Sequence, residues 1–374
     1  MNKHFVFIYV VFLLINSIAC QRQQGETQNY FYIELTRKTV PKIDELFEDV
    51  KYIALQTSDS SLLDEVIDSK VGYFDGRFYI ADYKKEITVF DENGKWLHTI
   101  NHFGESPQDY LGIVTFAIAP NGDLLVVDRL LRGLLFYSAN DEFLYAYHND
   151  TISLEDAFFM DNDHVLIRGT NGYTKDKFYL FNRNSREILS SYWSVPLKRK
   201  FRYSPSGFFV TYKEKLLYHE MQNTRIYELT PDSAILRYTI DVEGRTPPDG
   251  FWERTDLSSM DLNDERVRRG YVDNIRFFSE GNENILLQVS GGGSSQEIHV
   301  LIEKATGRQI CFDKIAFDDY FTWMPNRMCA LPDGQVAILI PPEDILAEKD
   351  SPLRMQFPDL KEDDNPILCI AKIR

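Results

Sequence analysis

The side chains best suited to recognition in this chain are Tyr110, Tyr203, Arg276, Trp323 and Arg327, aromatic faces accompanied by guanidinium forks. A ring offers an apolar face and a guanidinium offers paired donors, so such a set suits a sugar, an acidic oligosaccharide or a peptide carboxylate. Groups for bond-breaking chemistry are scarcer. There is no G-x-S-x-G turn for a nucleophilic serine, and no glycine-rich turn ahead of a Lys and a helix to cradle phosphate. Gly291-Gly292-Gly293 leads through Ser294-Ser295 into the apolar run 298–302 and reads as a hairpin loop. His219-Glu220 lacks the second His of a zinc-protease helix. Asp161-Asn162-Asp163 is too short for a calcium loop and reads as a turn. The sequence therefore points to no catalytic residue, metal ligand or cofactor site.

Cysteines add little to this chemistry. Cys311, Cys329 and Cys369 each lie in an apolar strand-like run without a Cys-x-x-Cys spacing, and read as buried small hydrophobes. One disulfide with a spare thiol is the alternative left open. The formal charge of −16, without a Lys/Arg-rich run, lacks the electrostatic footprint of nucleic-acid binding.

The elements that must position these residues are strands. Aromatics make up 14% of the chain, which favours pleated, half-buried surfaces over helices. Residues 76–111 hold a pattern that recurs: apolar runs at 78–81 and 87–90, then Asn93-Gly94, a hairpin signal, before Trp96. Residues 122–147 copy it nearly residue for residue, with Asp128 in the place of Asp82 and Asn140-Asp141 in the place of Asn93-Gly94. Both aspartates follow a second strand, where a carboxylate accepts backbone hydrogen bonds that lock a hairpin. Looser copies cover 163–192, 215–240 and 284–312, and a sixth opens at 334–340. An apolar run precedes each copy as its innermost strand, at 70–74, 113–119, 157–160, 207–212, 275–279 and 327–331.

The period of about 40 to 50 residues is that of propeller blades. The expected fold is all-β, a six-bladed β-propeller of four-stranded antiparallel blades. Residues 366–373 supply a third strand to the last blade, and residues 50–55 form a fourth strand with no blade of their own. An N-terminal strand paired with the C-terminal blade then closes the ring and removes its exposed edges. Residues 30–35 are a second candidate for that role, or an added strand.

Three segments carry a resemblance: FEDVKYIAL (47–55) with SLL (61–63), YIAD to FDENG (79–94), and LKEDDNPIL (360–368). They resemble the six-bladed β-propeller lipoproteins of Gram-negative bacteria, relatives of NHL-repeat propellers, over roughly residues 30–374. The glycine-rich turn of that family stands here as GESPQDY (104–110), with two glycines lost and Pro107 and Tyr110 kept. The resemblance implies architecture more than chemistry, because blade motifs of this kind build a scaffold that hosts many functions.

Residues 1–19 read as a lipoprotein signal peptide: Lys3, an apolar run at 5–15, then Ser17-Ile18-Ala19-Cys20, which resembles a lipobox. Cys20 is the expected lipid-attachment residue, residues 20–29 a polar tether, and residues 30–374 the propeller. Insertions interrupt it near 243–271 and 341–365. The first contains a helix from Ser258 to Arg269, opened by a Ser258–Asp261 capping box and stopped at Gly270, and the second a helical turn over 343–348. Either can cover one mouth of the propeller.

The expected protein is a monomer, lipid-anchored in the cell envelope of a Gram-negative bacterium. The outer membrane is its expected site, with the periplasmic face favoured over the surface. Its function is that of a non-catalytic binding or scaffold module for a glycan, peptide or protein. The alternative is a propeller hydrolase or lyase, similar to gluconolactonase-like propellers, with a metal at the axis. That reading needs carboxylates and Asn converging from the innermost strands, which here offer mainly apolar and Arg residues.

Overall fold

The computed structural model describes residues 29–374 except 36–37, 65, 83–84, 171–173, 196–206, 255, 292–293 and 326–327. The leader, Cys20, Tyr203 and Arg327 thus lie outside the described residues.

Strands pair into six antiparallel blades arranged around an axis, with a separate two-stranded hairpin of Ile315–Ala316 and Thr322–Trp323. Blade 1 is Val66–Phe74, Arg77–Asp82, Ile87–Asp91 and Trp96–Ile100; blade 2 is Thr115–Ile118, Leu124–Asp128, Gly133–Tyr137 and Phe143–His148. Blade 3 is Leu154–Phe159, His164–Gly169, Asp176–Asn182 and Glu187–Ser194; blade 4 is Gly207–Tyr212, Lys215–Glu220, Arg225–Leu229 and Ala234–Val242. Blade 5 is Val272–Glu280, Asn284–Gly291, Ser294–Glu303 and Gln309–Phe312; blade 6 is Met328–Ala330, Gln335–Ile340, Ile367–Ile373 and, from the other end of the chain, Phe47–Ala54. The first strands of successive blades neighbour one another right round the ring, that of blade 6 meeting that of blade 1. The expected six-bladed propeller is the observed fold.

Second and third strands carry central apolar runs because each is covered on both sides by neighbouring blades. Every residue of Leu124–Asp128 and Gly133–Tyr137 is buried, whereas the outer strand Phe143–His148 is half-exposed. Closure follows the expected route: Phe47–Ala54 pairs antiparallel with Ile367–Ile373, from Ala54 opposite Ile367 to Phe47 opposite Ile373. Tyr30–Ile33 is an added strand, parallel to the outer strand of blade 4, and Lys38–Thr39 adds in the same way to blade 5.

Asn365 and Gly94 tie the closing segment to the ring. Asn365, fully buried, accepts from the Leu63 amide at 2.8 Å and donates to the Gln56 and Ser61 carbonyls at 2.9 and 2.8 Å. Gly94, at φ +81°, sits where an added Cβ would lie 2.2 Å from the Ala54 carbonyl oxygen, so the hairpin of blade 1 can nest against the closing strand only with glycine there. Asp128 does what its position suggests and more: one carboxylate oxygen accepts from Leu130 and Leu131 in its own turn, the other from Leu111 and Gly112 in the incoming connection.

Because strands alternate, connections between second and third strands and connections between blades emerge on the same face of the disc. Both insertions belong to that face: one joins blade 4 to blade 5, the other joins the second and third strands of blade 6. The first carries the helix Ser259–Arg269 with both hydrogen bonds of the Ser258–Asp261 capping box, ended by Gly270. Phe251, Trp252 and Leu262 form its own small apolar cluster. The second holds short helices at Pro342–Ala347 and Pro352–Met355. Among the described residues no helix is long and apolar enough to cross a membrane, and Cys311, Cys329 and Cys369 are buried thiols outside any disulfide.

Candidate functional site

The described residues of the sequence-derived set do not converge. Arg276 lines the axial cavity from the first strand of blade 5, its guanidinium hydrogen-bonded to Glu297. Tyr110 is wholly buried between blades 1 and 2, where its hydroxyl donates to the Lys85 carbonyl at 2.8 Å and accepts from the His102 amide at 3.2 Å. Trp323 belongs to a two-stranded hairpin before blade 6 and donates its indole N–H to Asp344 of the second insertion at 2.8 Å. Tyr110 is thus a brace inside the ring and Trp323 a link between two surface segments.

The axial cavity, about 290 Å³, is walled by all six first strands and is chiefly apolar. Phe116, Phe158, Phe208 and Phe277 line it, with Asp156 its one carboxylate among the described residues. His219 reaches its wall as a buried neutral ring, stacked on Phe208, with Nδ1 3.1 Å from the Ile275 carbonyl oxygen and its pKa pushed down to about 4 by burial. Among the described residues no group of three or more His, Cys, Asp or Glu side chains is placed to hold a metal ion.

A larger cavity, about 480 Å³, opens on the insertion-bearing face where blades 3, 4 and 5 meet. Lys177, at the start of the third strand of blade 3, and Glu220, at the end of the second strand of blade 4, lie in its floor with their charged groups 2.6 Å apart and almost wholly buried. Tyr218 donates to the other Glu220 oxygen at 2.8 Å, and Arg168 Nε donates to the Tyr218 hydroxyl at 3.2 Å. Gly207 makes room for this row of groups, since a Cβ there would lie 2.3 Å from the Tyr218 hydroxyl and 2.7 Å from Arg168 Nε. Arg168 pairs in the sheet with Asp156, so buried polar groups run from the pocket floor to the axial wall.

Electrostatics at the floor are set by burial and by this pairing. Burial pushes the Lys177 ammonium below its ordinary value, an effect that Glu220 partly offsets. The Glu220 carboxyl, which burial alone would raise, is held below its ordinary value by Lys177, Arg168 and the Tyr218 hydroxyl. Each group is thus desolvated, and each is the other's partner. Such a pair costs several kcal/mol per ion to desolvate, roughly recovered by attraction and hydrogen bonds only when the geometry is good.

The walls are shaped by strained backbone. Trp193 lies between Tyr192 and Ser194, which pair with Phe178 and Asp176, so it sits across the sheet from Lys177, at φ +63°. The Lys177 ammonium lies 4.1 Å from its ring centroid, and Tyr227 packs against it edge-on at 4.6 Å. Gln222, also lining the pocket, has φ +64°. A left-handed tryptophan costs of order 1–3 kcal/mol and persists where the surroundings over-determine it, as functional sites do. The first insertion forms the roof, through residues 246–253. It is fastened by Asp273, which accepts from the Trp252 indole at 2.9 Å and faces Arg266 of the insertion helix at 3.5 Å. Burial raises the Asp273 carboxyl to about 6 against the pull of Arg266 and Trp252.

Sequence reasoning missed this pocket. Its only signal is a charged residue at the end of an otherwise buried run in two consecutive blades, Lys177 ahead of Phe178–Phe181 and Glu220 behind Leu216–Tyr218; nothing in the spacing says that they meet.

A family model described as "Domain of unknown function (DUF4934)" matches residues 32–372. No curated protein matches the chain. Among solved structures, a Bacteroides fragilis protein named as exported is similar with a TM-score of 0.75 at 16% identity, covering 92% of this chain and 99% of that one. A member of the DUF4221 family from Bacteroides vulgatus is similar with a TM-score of 0.50 at 11% identity, covering 88% and 97%. At these identities the likeness is one of fold.

Proposed function

This chain belongs to the DUF4934 family, and we propose that it is a lipid-anchored propeller of the bacterial cell envelope that binds a ligand without transforming it. The proposed attachment is through Cys20 to the outer membrane, with the periplasmic face favoured, and the unit is a monomer. The ligand, a small polar molecule or the end of a glycan or peptide, sits in the pocket between blades 3, 4 and 5. The single observation that carries this reading is the pocket floor: a buried ion pair under a tryptophan held in a left-handed conformation. A buried ion pair adds little to stability and a left-handed tryptophan costs some of it, whereas a preorganised binding surface uses both. A volume of about 480 Å³ is that of a small-molecule site. The hydrolase alternative draws less support, because its metal needs several carboxylates or Asn at the axis and the described wall there presents Asp156 among aromatic side chains.

The test is a thermal-shift screen of the full chain with glycans, peptides and divalent metals, run beside Trp193→Ala. A compound that raises the melting temperature of the native chain and not of the variant supports the reading, since a ligand of the native state stabilises it by mass action. A divalent ion that stabilises both equally and supports hydrolysis of a lactone or ester overturns it.

A further inference from the structure

We infer that the pocket between blades 3, 4 and 5 takes a neutral, polyhydroxylated ligand, a segment of an uncharged oligosaccharide; this rests on the pocket being the binding site. Among the described residues, the charges around it other than Glu253 are already matched inside the protein. Lys177 and Glu220 neutralise each other at 2.6 Å, Arg225 pairs with Asp249 at 2.7 Å, and Asp273 faces Arg266 while accepting from Trp252. Glu253 stands at the exposed rim, where water screens it. A charged ligand group would therefore have to break one of these pairs and leave its former partner desolvated, a heavy cost at the buried floor.

Hydrogen-bonding capacity remains after the charges are matched. An ammonium has three donors, a guanidinium five and a carboxylate about four lone-pair sites, and each of the lining ion pairs uses only part of its set. At the floor, Glu220 takes one bond each from Lys177, Tyr218 and Asn223, the last at 3.3 Å. Donors and acceptors thus lie side by side, which matches a hydroxyl, since it gives and accepts at the same atom. Gln222 and Thr224 continue that pattern along the walls, where Ser194 and Thr246, which donate to Asp176 and Asp241, keep acceptor sites. Trp193 and Tyr227 supply the apolar surface against which the C–H face of a sugar ring can lie, and the left-handed backbone at Trp193 fixes that surface before the ligand arrives.

The experiment is an array of neutral oligosaccharides, acidic oligosaccharides and short peptides probed with the full chain, followed by calorimetric titration of the best probe. The titration is run at low and high salt against native protein, Trp193→Ala and Arg225→Ala. Arg225 and its partner Asp249 lie at the open edge of the pocket, so that variant keeps its fold even if Trp193→Ala does not. The expected result is a neutral oligosaccharide whose affinity changes less than about twofold with salt. Trp193→Ala should weaken that affinity by about tenfold or more, as loss of an aromatic anchor does, and Arg225→Ala should weaken it measurably. Acidic oligosaccharide or peptide binding that either variant abolishes would overturn the neutral-sugar inference while leaving the pocket as the site. Binding of any probe that neither variant alters, or no binding across the array, would overturn both.

Discussion

Asp273 fastens the roof of the pocket and titrates in a range that experiments can reach. Its carboxyl is raised from 3.8 to about 6, so the folded chain holds a proton that the unfolded chain has released. The corresponding stability is fully present below pH 3.8 and is lost as pH rises through about 6, a change of about 3 kcal/mol for a shift of this size. Asp273→Asn keeps an acceptor for Trp252 and removes the titration. Urea denaturation between pH 4 and 7 should show the native chain losing stability relative to this variant as pH rises; parallel curves would contradict the assignment. Lys177 and Glu220 behave differently, because neither can be removed alone without stranding the other. Lys177→Met and Glu220→Gln should each cost about 3–5 kcal/mol, and the double variant clearly less than their sum. Additive losses in a denaturation cycle would mean that the two groups are not coupled.

At the scale of elements, the ring is closed by one strand and one side chain. Asn365→Ala removes three buried hydrogen bonds to the segment that follows the closing strand, and should lower stability by about 2–4 kcal/mol in a urea titration. Asn365→Asp should be no milder, since a carboxylate cannot donate to the Gln56 and Ser61 carbonyls. A loss below about 0.5 kcal/mol for the alanine variant would show that the closure does not depend on it.

Much at this scale was readable. Strands sandwiched between blades become apolar runs, the Ser258–Asp261 spacing opens a helix, and Asn93-Gly94 marks a hairpin, because each is a local rule. The strand Lys38–Thr39 was not readable, since two exposed residues carry no pattern. Nor were side-chain directions. The repeat puts Tyr110 on a loop leading into an innermost strand, but its hydroxyl turns inward to the Lys85 carbonyl, and spacing does not encode that turn. The pocket is hidden for a stronger reason: Lys177, Glu220, Trp252 and Asp273 come from three blades and an insertion, and only the packing of the ring brings them together.

As a whole molecule, the propeller presents one decorated face, and the proposed lipid anchor keeps the protein at a membrane. Replacing Cys20 with Ala should release the protein into the soluble fraction on cell fractionation, because the acyl chains proposed on that residue would supply the membrane affinity; continued retention in the membrane fraction would rule out the anchor. Two cavities compete as the site of recognition, an apolar axial one touched by Arg276 and a polar one on the decorated face floored by Lys177 and Glu220. The measurement that separates them is an equilibrium titration of one stabilising ligand against the native chain, Trp193→Ala and Arg276→Ala. The polar pocket as binding site predicts about tenfold or greater weakening for Trp193→Ala and less than about twofold for Arg276→Ala. Strong weakening by Arg276→Ala with Trp193→Ala unchanged would place recognition at the axis and contradict it.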